Sequence, residues 1–512
     1  MTTLLKPGPR RERLITAAAL IVLALAVLRT AWLCDDAFIT LRTVDNWVHG
    51  FGLRWNVDER AQAYTHPLWM LLMAACYAIT REPLYTLELL SSAVALGAVA
   101  LLLFGRERPA IDRVWIVALL VFSKTFLSYA TSGLESPLLF LLLARFLVVY
   151  LRAEDPSQRL GELALLAGLA LLTRFDALWL FAPPLAAAAW RAGARRAWKP
   201  LALGALPVVT WELFAIFYYG WPLPNTAYAK LSTGVPLGRL LREALHYTHN
   251  FMMWDCLSLA VILLGAWAPL LERNRRAMAV SAGIALHVAY VMRVGGDFMC
   301  GRFFAAPLFA AIATLYLIDT RLSPRLRPLI ALPLAGLLST APGSHWSWMR
   351  GGPAHFHEHG VTDERALYYP LTGLLADRPA DGGRFMQLGL GMKARGDKMV
   401  IENMIGMIGY YAGPAVHIID NDALAEPLLS HAPVMQPLLV RIGHYERGVP
   451  PGYRETVESG VNQLKNPSLA LYYDKLLVVI RGPLFAPGRL GEILRFNLGA
   501  YDHLMDNYVH NR

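Results

Sequence analysis

The hydrophobic residues of this chain occur in long runs that short polar segments separate. A helix of about 20 apolar residues crosses the hydrocarbon core of a bilayer, and runs of this kind indicate membrane spans rather than amphipathic helices. We therefore predict a mainly α, polytopic membrane protein in which residues 1–341 carry about eleven transmembrane helices. The predicted spans are 15–33, 86–104, 114–130, 138–151, 160–175, 177–190, 200–218, 255–271, 277–293, 303–319 and 327–341.

Basic residues predict the orientation of these spans. Cytoplasmic loops are enriched in Lys and Arg, and a cytoplasmic N-terminus is the choice that puts the Arg-rich loops on that side. Those loops are 105–113, 150–159, 190–199, 271–276 and 320–328. No small-residue cleavage site follows the first apolar run, so we expect a retained helix rather than a signal peptide.

Two long loops and a C-terminal region are expected on the outer side. Loop 34–85 contains a run at 66–80 that is too short to span, which predicts an interfacial helix on the outer leaflet. A second outer loop covers 219–254. Residues 342–512 are richer in Gly, Pro, His and charge, which predicts a soluble outer domain. Its stretch 398–422 alternates as strand, helix and strand, so we expect an α/β fold there.

Composition narrows the function classes. The chain has 512 residues, of which 55% are hydrophobic and 17% are charged, whereas soluble domains carry about a quarter charged residues. The net charge of +10 comes without a basic stripe interleaved with aromatics, so nucleic acid is not implied. There is no Walker loop, and four Cys in so long a chain give no disulfide framework.

Asp35 and Asp36 follow the first predicted span directly. Carboxylates are unfavourable at the C-terminal end of a helix, and adjacent carboxylates can divide the work of taking a proton and fixing geometry or a cation. Arg42 is about two helical turns away and within reach if the segment is helical. We predict that the pair is catalytic; the alternative is two solvated acids at a helix end.

Further ionisable and polar residues recur wherever the chain is predicted to reach the outer side. Such residues near membrane depth are functional hypotheses by default. If the protein transfers a group from a donor substrate to an acceptor, we expect one set of these residues to bind the phosphate or sugar of the donor. This set comprises Arg42, His66, Arg174, Asn225, Tyr228, Lys230 and Arg302. We assign acceptor binding or support to a second group, which comprises Tyr64, Glu135, Asp176 and Asp297.

Sugar transfer from a lipid-linked sugar phosphate fits these residue types. The acceptor hydroxyl needs one base, and the phosphate leaving group needs cations and donors but no general acid. A glycoside hydrolase would need an acid as well. The segment HFHEHG, residues 355–360, looks like a metal cluster, but His at i and i+2 align on a strand, and no strand pattern surrounds them. Whether a divalent cation assists the acid pair is left open.

Seven motifs in order carry a family resemblance. They are DDAFITLR, FGLRWN, YTHPLW, SGLESPL, PNTAYAK, GGDFMCGR and IGMIGYYAG, between residue 35 and about residue 420. Together they resemble the bacterial GT-C glycosyltransferases similar to mycobacterial terminal β-(1→2)-arabinofuranosyltransferases. The resemblance implies a polyprenyl-phosphate donor, usually decaprenyl-phosphoryl arabinofuranose, used on the periplasmic face of the inner membrane. It also implies that Asp35 and Asp36 are essential.

Two other functions stay open at this stage. A polyprenyl-linked glycan transporter would need a polar path through both leaflets, and a non-enzymatic envelope assembly protein would bind glycan through its outer domain. The acceptor, either a cell-envelope glycan or a surface protein, is not specified by these residues.

Overall fold

A computed structural model describes residues 9–231, 233–318, 345–349, 358–437 and 441–510. These residues are mostly α-helical, and the strands among them are two short ones. The mainly α prediction is therefore confirmed.

The first part of the chain is a succession of helices. They are α1 Pro9–Thr30, α2 Asp35–Val48, α3 Pro67–Thr80, α4 Pro83–Phe104, α5 Ala110–Phe122, α6 Lys124–Tyr129, α7 Ser136–Arg152, α8 Leu160–Leu171, α9 Leu178–Ala192, α10 Ala194–Tyr219, α11 Asn225–Leu231, α12 Leu237–Trp254, α13 Cys256–Leu271, α14 Arg275–Val294 and α15 Ala305–Leu317.

The later part combines shorter helices with the strands. The helices are α16 His345–Met349, α17 Glu364–Thr372, α18 Gly383–Arg395, α19 Met407–Ala412, α20 Pro427–His431, α21 Tyr453–Ser459, α22 Pro467–Ile480, α23 Arg489–Asn497 and α24 Asp502–His510. The strands are β1 Met399–Glu402 and β2 His417–Asp420.

Four described helices, α1, α4, α10 and α14, are long and apolar enough to cross a membrane, and the pair α12–α13, bent by 110°, makes up to five. These helices indicate a membrane protein. The first ten predicted spans coincide with helical segments, but several of those helices have fewer than 18 residues, so a count of about eleven spans is not confirmed. The predicted span 327–341 and the loop 320–328 lie outside the described residues.

The predicted span 114–130 is interrupted where α5 ends and α6 begins. Ser123 separates the two helices and accepts a hydrogen bond from the Phe126 amide through its side chain. The carboxylate of Asp255, at the α12–α13 bend, accepts from the Thr125 amide at 2.7 Å and from the Ser258 amide at 3.1 Å. One carboxylate thus satisfies helix N-termini at both breaks, because the first amides of a helix lack intrahelical partners.

The described residues group into two compact units, each assembled from three chain segments. Unit 1 comprises Met1–Cys34, Leu84–Pro207 and Leu240–Arg378, as far as these are described. Unit 2 comprises Asp35–Pro83, Val208–Arg239 and Pro379–Arg512 on the same basis. The predicted domain boundary after residue 341 stays a prediction.

The predicted strand, helix and strand of segment 398–422 are confirmed in unit 2. Strands β1 and β2 are parallel, with Met399 opposite His417, and α19 lies between them in the chain. A larger α/β domain is not confirmed. One hydrophobic cluster of unit 2 combines Met399 of β1 and Ile419 of β2 with buried side chains from α20 to α24, including Leu428, Tyr453 and Leu476.

The apolar run at 66–80 forms α3, a helix of 14 residues. Pro67 occupies its first turn, where a missing amide proton costs nothing, and Arg81 ends it in the left-handed conformation. The location of α3 on the outer leaflet stays a prediction.

Candidate active site

Asp35 and Asp36 form the first turn of α2 rather than the end of the preceding helix, since α1 ends at Thr30. The two carboxylates therefore do not lie at the unfavourable C-terminal end of a helix, contrary to the prediction from sequence. Carboxylates in the first turn are favourable, because they face the unpaired amides of the helix N-terminus. Arg42 lies two turns further along the same helix, as the sequence predicts for a helical segment.

Asp35 is held by the main chain of the segment that leads into α19. Its Oδ1 accepts from the Met407 amide at 2.8 Å, and its Oδ2 accepts from the Gly406 amide at 3.0 Å. Burial raises the pKa of Asp35 to about 6; the Met407 amide opposes this shift, and Asp36 adds to it. The carboxyl group is thus fixed in place and titrates within two pH units of neutrality.

Glycine is required where this segment meets α2. A Cβ at Gly406 would lie 2.1 Å from the Asp35 main-chain oxygen, and one at Gly409 would lie 2.8 Å from the Trp55 ring. Neither position has room for a side chain, because α2 and the Trp55 ring occupy the space.

Asp36 shares an electrostatic environment with three basic residues. Burial lowers the pKa of His444 to about 4, Arg441 and Lys230 lower it further, and the Asp36 carboxylate opposes them. Lys230 also counteracts the burial that raises the pKa of Asp422 to about 6. The pair is therefore accompanied by cationic groups, of which Lys230 is a sequence prediction.

Arg42 is almost fully buried and its donors meet main-chain oxygens. Its guanidinium donates to the carbonyls of Trp55 at 2.9 Å, Gly409 at 2.7 Å and Val416 at 2.8 Å, and it lies 4.1 Å from the centroid of the Trp55 ring. Burial lowers the pKa of Arg42 to about 9, and Asp58 opposes that shift. This geometry favours a structural role over the predicted binding of the donor phosphate.

His66 and Tyr64 are buried close to α2 and α10. His66 Nε2 lies 3.0 Å from the Thr40 hydroxyl, and Thr40 is on α2, one turn from the acid pair. The Tyr64 hydroxyl is 2.8 Å from that of Tyr219, and burial raises the pKa of Tyr64 above its ordinary value.

Asn225 and Tyr228 belong to α11. Asn225 donates to the Ala423 carbonyl at 2.8 Å and accepts from the Ser430 hydroxyl at 2.9 Å, so it fixes the segment after β2. The Tyr228 ring lies 5.0 Å from that of His431. Both α11 side chains line a small pocket with Trp221 and Arg60.

The remaining predicted residues form a buried ion network within unit 1. Arg174 lies 2.8 Å from Glu135 and pairs through two nitrogens with Asp176. Arg302 is 3.9 Å from Glu135 and 3.7 Å from Asp297. Arg174 is thus held by two acids, which favours a positioning role over donor binding.

The histidine segment near residue 355 is described only at its end. His355 and His357 lie outside the described residues. His359 Nδ1 is 3.4 Å from Glu243, and its ring stacks on that of His246 with centroids 3.7 Å apart.

Two of the basic residues in the electrostatic environment of Asp36 are not among the sequence predictions. Arg441 and His444 close a tight turn in which the His444 amide donates to the Arg441 carbonyl at 3.0 Å and Gly443 takes a positive φ. The turn is the only local signal, because the sequence does not show that Asp36, far earlier in the chain, comes near it.

Two curated proteins are similar to this chain over most of its length. It is 30% identical over 401 residues to the terminal β-(1→2)-arabinofuranosyltransferase of Mycobacterium tuberculosis, covering 67% of this chain and 63% of that protein. It is 27% identical over 405 residues to the protein of the same name from Corynebacterium glutamicum, covering 68% and 57%. The chain thus spans less than two thirds of either relative. No protein-family model matches it. The resemblance indicated by the sequence motifs is confirmed.

Proposed function

We propose that this chain, like the relatives it resembles, is a membrane glycosyltransferase that transfers D-arabinofuranose. The donor we propose is a polyprenyl-phosphate sugar, and the acceptor is a cell-envelope glycan or a surface protein on the periplasmic face of the bacterial inner membrane. The observation that carries the proposal is the acid pair at the start of α2, with one acid fixed by main-chain amides and the other near basic residues.

The reaction needs few groups. The acceptor hydroxyl attacks the anomeric carbon, its proton passes to a carboxylate, and the bond from the anomeric carbon to the phosphate oxygen breaks. The electron pair of that bond leaves with the phosphate, whose added charge is stabilised by cations and hydrogen-bond donors. One base and a cationic environment are therefore sufficient.

The two acids have different surroundings, which suggests a division of roles. Both oxygens of Asp35 accept hydrogen bonds from main-chain amides, so Asp35 serves as a positioning residue that fixes the start of α2. Asp36 is the base.

The donor phosphate is assigned to the basic residues near Asp36. Lys230 and Arg441 both act on His444 electrostatically, as Asp36 does. A phosphate group is recognised by such charge-assisted donors. Arg42 and Asn225 support this region through main-chain contacts.

The test compares Asp36→Asn with Asp35→Asn in the full chain reconstituted in liposomes. The substrates are radiolabelled decaprenyl-phosphoryl arabinofuranose and an arabinan acceptor. We expect Asp36→Asn to lower kcat by about 10²–10⁴-fold, the usual contribution of a general base. Asp35→Asn should lower both kcat and the melting temperature, because it disturbs the main-chain contacts.

Asp397→Asn is the matched control, since Asp397 pairs with the exposed Arg395; its activity should be unchanged. Wild-type transfer rates in both Asp35→Asn and Asp36→Asn would refute the proposal. Movement of the labelled lipid between leaflets without transfer would instead favour a transporter.

A further inference from the structure

A second group of ionisable residues in unit 2 is separate from the acid pair. Glu59, His417 and Glu426 each offer one ligand atom, and these atoms lie within 4.8 Å of one another. Both glutamates are 1% exposed. We call this group the Glu59–His417–Glu426 cluster.

Three separate segments contribute to the cluster. Glu59 lies between α2 and α3, His417 is the first residue of β2, and Glu426 immediately precedes α20. The group therefore lies where these segments meet within unit 2, and a ligand bound there would join them.

The imidazole of His417 is oriented as metal-binding imidazoles are. Its Nδ1 lies 2.9 Å from Asp58 Oδ1, and the other oxygen of Asp58 is 2.8 Å from Arg481. A metal-ligating histidine usually donates one ring nitrogen to such a carboxylate, which leaves the other nitrogen as the ligand. Here that ligand is Nε2, whose contact with the Asn56 amide is long, at 3.4 Å.

The two buried carboxylates are incompletely neutralised. Glu426 Oε1 accepts from the Tyr453 hydroxyl, whereas Glu426 Oε2 is buried and has no hydrogen-bond partner among the described residues. Glu59 Oε2 lies 3.5 Å from Arg481, which also forms an ion pair with Asp58.

A buried carboxylate without a partner is costly, and two remedies are available here. The glutamates can share a proton, or a cation can lie between them. A shared proton needs only the two carboxyl groups. It leaves unexplained the neighbouring imidazole of His417, whose Nδ1 lies against Asp58 as in metal-binding histidines.

We propose that the Glu59–His417–Glu426 cluster binds one Zn²⁺ ion, with His417 Nε2 and one oxygen of each glutamate as ligands. One imidazole and two carboxylates are a ligand set that suits Zn²⁺, whereas Mg²⁺ and Ca²⁺ prefer oxygen ligands. Zinc bonds of about 2.0–2.1 Å place tetrahedral ligands about 3.3 Å apart, so small rotations of the glutamate side chains close the site. Water completes the tetrahedron.

The site serves to hold unit 2 together and is independent of the proposed transfer reaction. A ligand that binds only the folded state raises its apparent stability. Its test therefore uses bound metal and thermal stability rather than activity, so that its failure and the failure of the proposed function are distinguishable.

The experiment uses the full chain purified in detergent, stripped with a chelator and titrated with Zn²⁺ alone. We expect one tightly bound Zn²⁺ per chain by elemental analysis and a melting temperature that rises on addition of Zn²⁺. His417→Gln and Glu426→Gln should each abolish the bound ion and the thermal shift. Asp58→Asn, which leaves all three ligands in place, should weaken binding by about 10–100-fold.

His49→Gln is the control for adventitious binding, because His49 is half-exposed and pairs with Asp45 outside the cluster; it should bind as the wild type does. Equal zinc content in the wild type, His417→Gln and Asp58→Asn would overturn the proposal. So would a Glu426→Gln chain that melts at or above the wild-type temperature with no zinc bound to either, the result expected from a shared proton.

Discussion

Replacing Gly406 by Ala tests whether the close approach of this segment to Asp35 is essential. The new Cβ would lie 2.1 Å from the Asp35 main-chain oxygen and 2.3 Å from Oδ2. Ordinary van der Waals contact begins at 3.4 Å, so one of the two segments must retreat by about 1 Å. The hydrogen bonds of 3.0 and 2.8 Å that the Gly406 and Met407 amides donate to the Asp35 carboxylate would then be stretched beyond hydrogen-bonding distance.

The cost follows from those contacts. A hydrogen bond to a charged group contributes about 1.5–3 kcal/mol, and overpacking costs about 1–3 kcal/mol. We therefore expect Gly406→Ala to lower the free energy of unfolding by about 3 kcal/mol or more. This is a large fraction of the roughly 5–15 kcal/mol typical of a folded protein. Sugar transfer should fall as well, because Asp35 no longer fixes the start of α2.

The assay is denaturant and thermal unfolding of the full chain in detergent, run beside the transfer assay. Gly491→Ala is the matched control, since a Cβ there meets no atom within 4 Å and the residue lies inside α23. Alanine is the better helix former, so the control should be neutral or stabilised by up to about 1 kcal/mol. Wild-type stability in Gly406→Ala would refute the reasoning.

Two further predictions concern buried charge. Arg174→Gln should destabilise the chain by about 3–5 kcal/mol, because it removes the cation that pairs with the buried carboxylates of Glu135 and Asp176. Arg145→Gln, which breaks a half-exposed pair, should cost under about 1 kcal/mol. Equal melting temperatures for the two variants would contradict this expectation. Burial lowers the pKa of His431 to about 4, below its unfolded value near 6.5. The free energy of unfolding therefore has its full value, as far as His431 is concerned, above pH 6.5, and it decreases as the pH falls from 6.5 toward 4. His431→Gln should remove up to about 3 kcal/mol of that pH dependence, and unfolding curves with the same pH slope in both proteins would contradict it.

The sequence predicts the helical segments well because their signal is local. A run of apolar residues is sufficient to place a helix, and even the short strand–helix–strand segment is found from its alternation. The breaks are harder to predict. The turn at Ser123 depends on a carboxylate at Asp255, more than a hundred residues later, which no local pattern reveals.

Candidate residues are found by type, but their roles depend on partners that are distant in the chain. Arg42 looks like a phosphate ligand because arginine often is one, yet carbonyls of residues 409 and 416 occupy its donors. Conversely, His444 and the Glu59–His417–Glu426 cluster are not recognised in the sequence, since their members are isolated polar residues until the fold brings them together.

The three-segment construction of unit 2 has a consequence for biosynthesis. Its first segment ends at Pro83 and its last begins at Pro379, so roughly 300 residues must be translated in between. At about 5–20 residues per second, the roughly 370 residues from Asp35 to Met407 take some 20–75 s to translate, and only then can the Gly406 and Met407 amides bind Asp35. During that interval the helix with the acid pair has no native partner from the last segment. A chain released before residue 407 lacks the amides that fix Asp35.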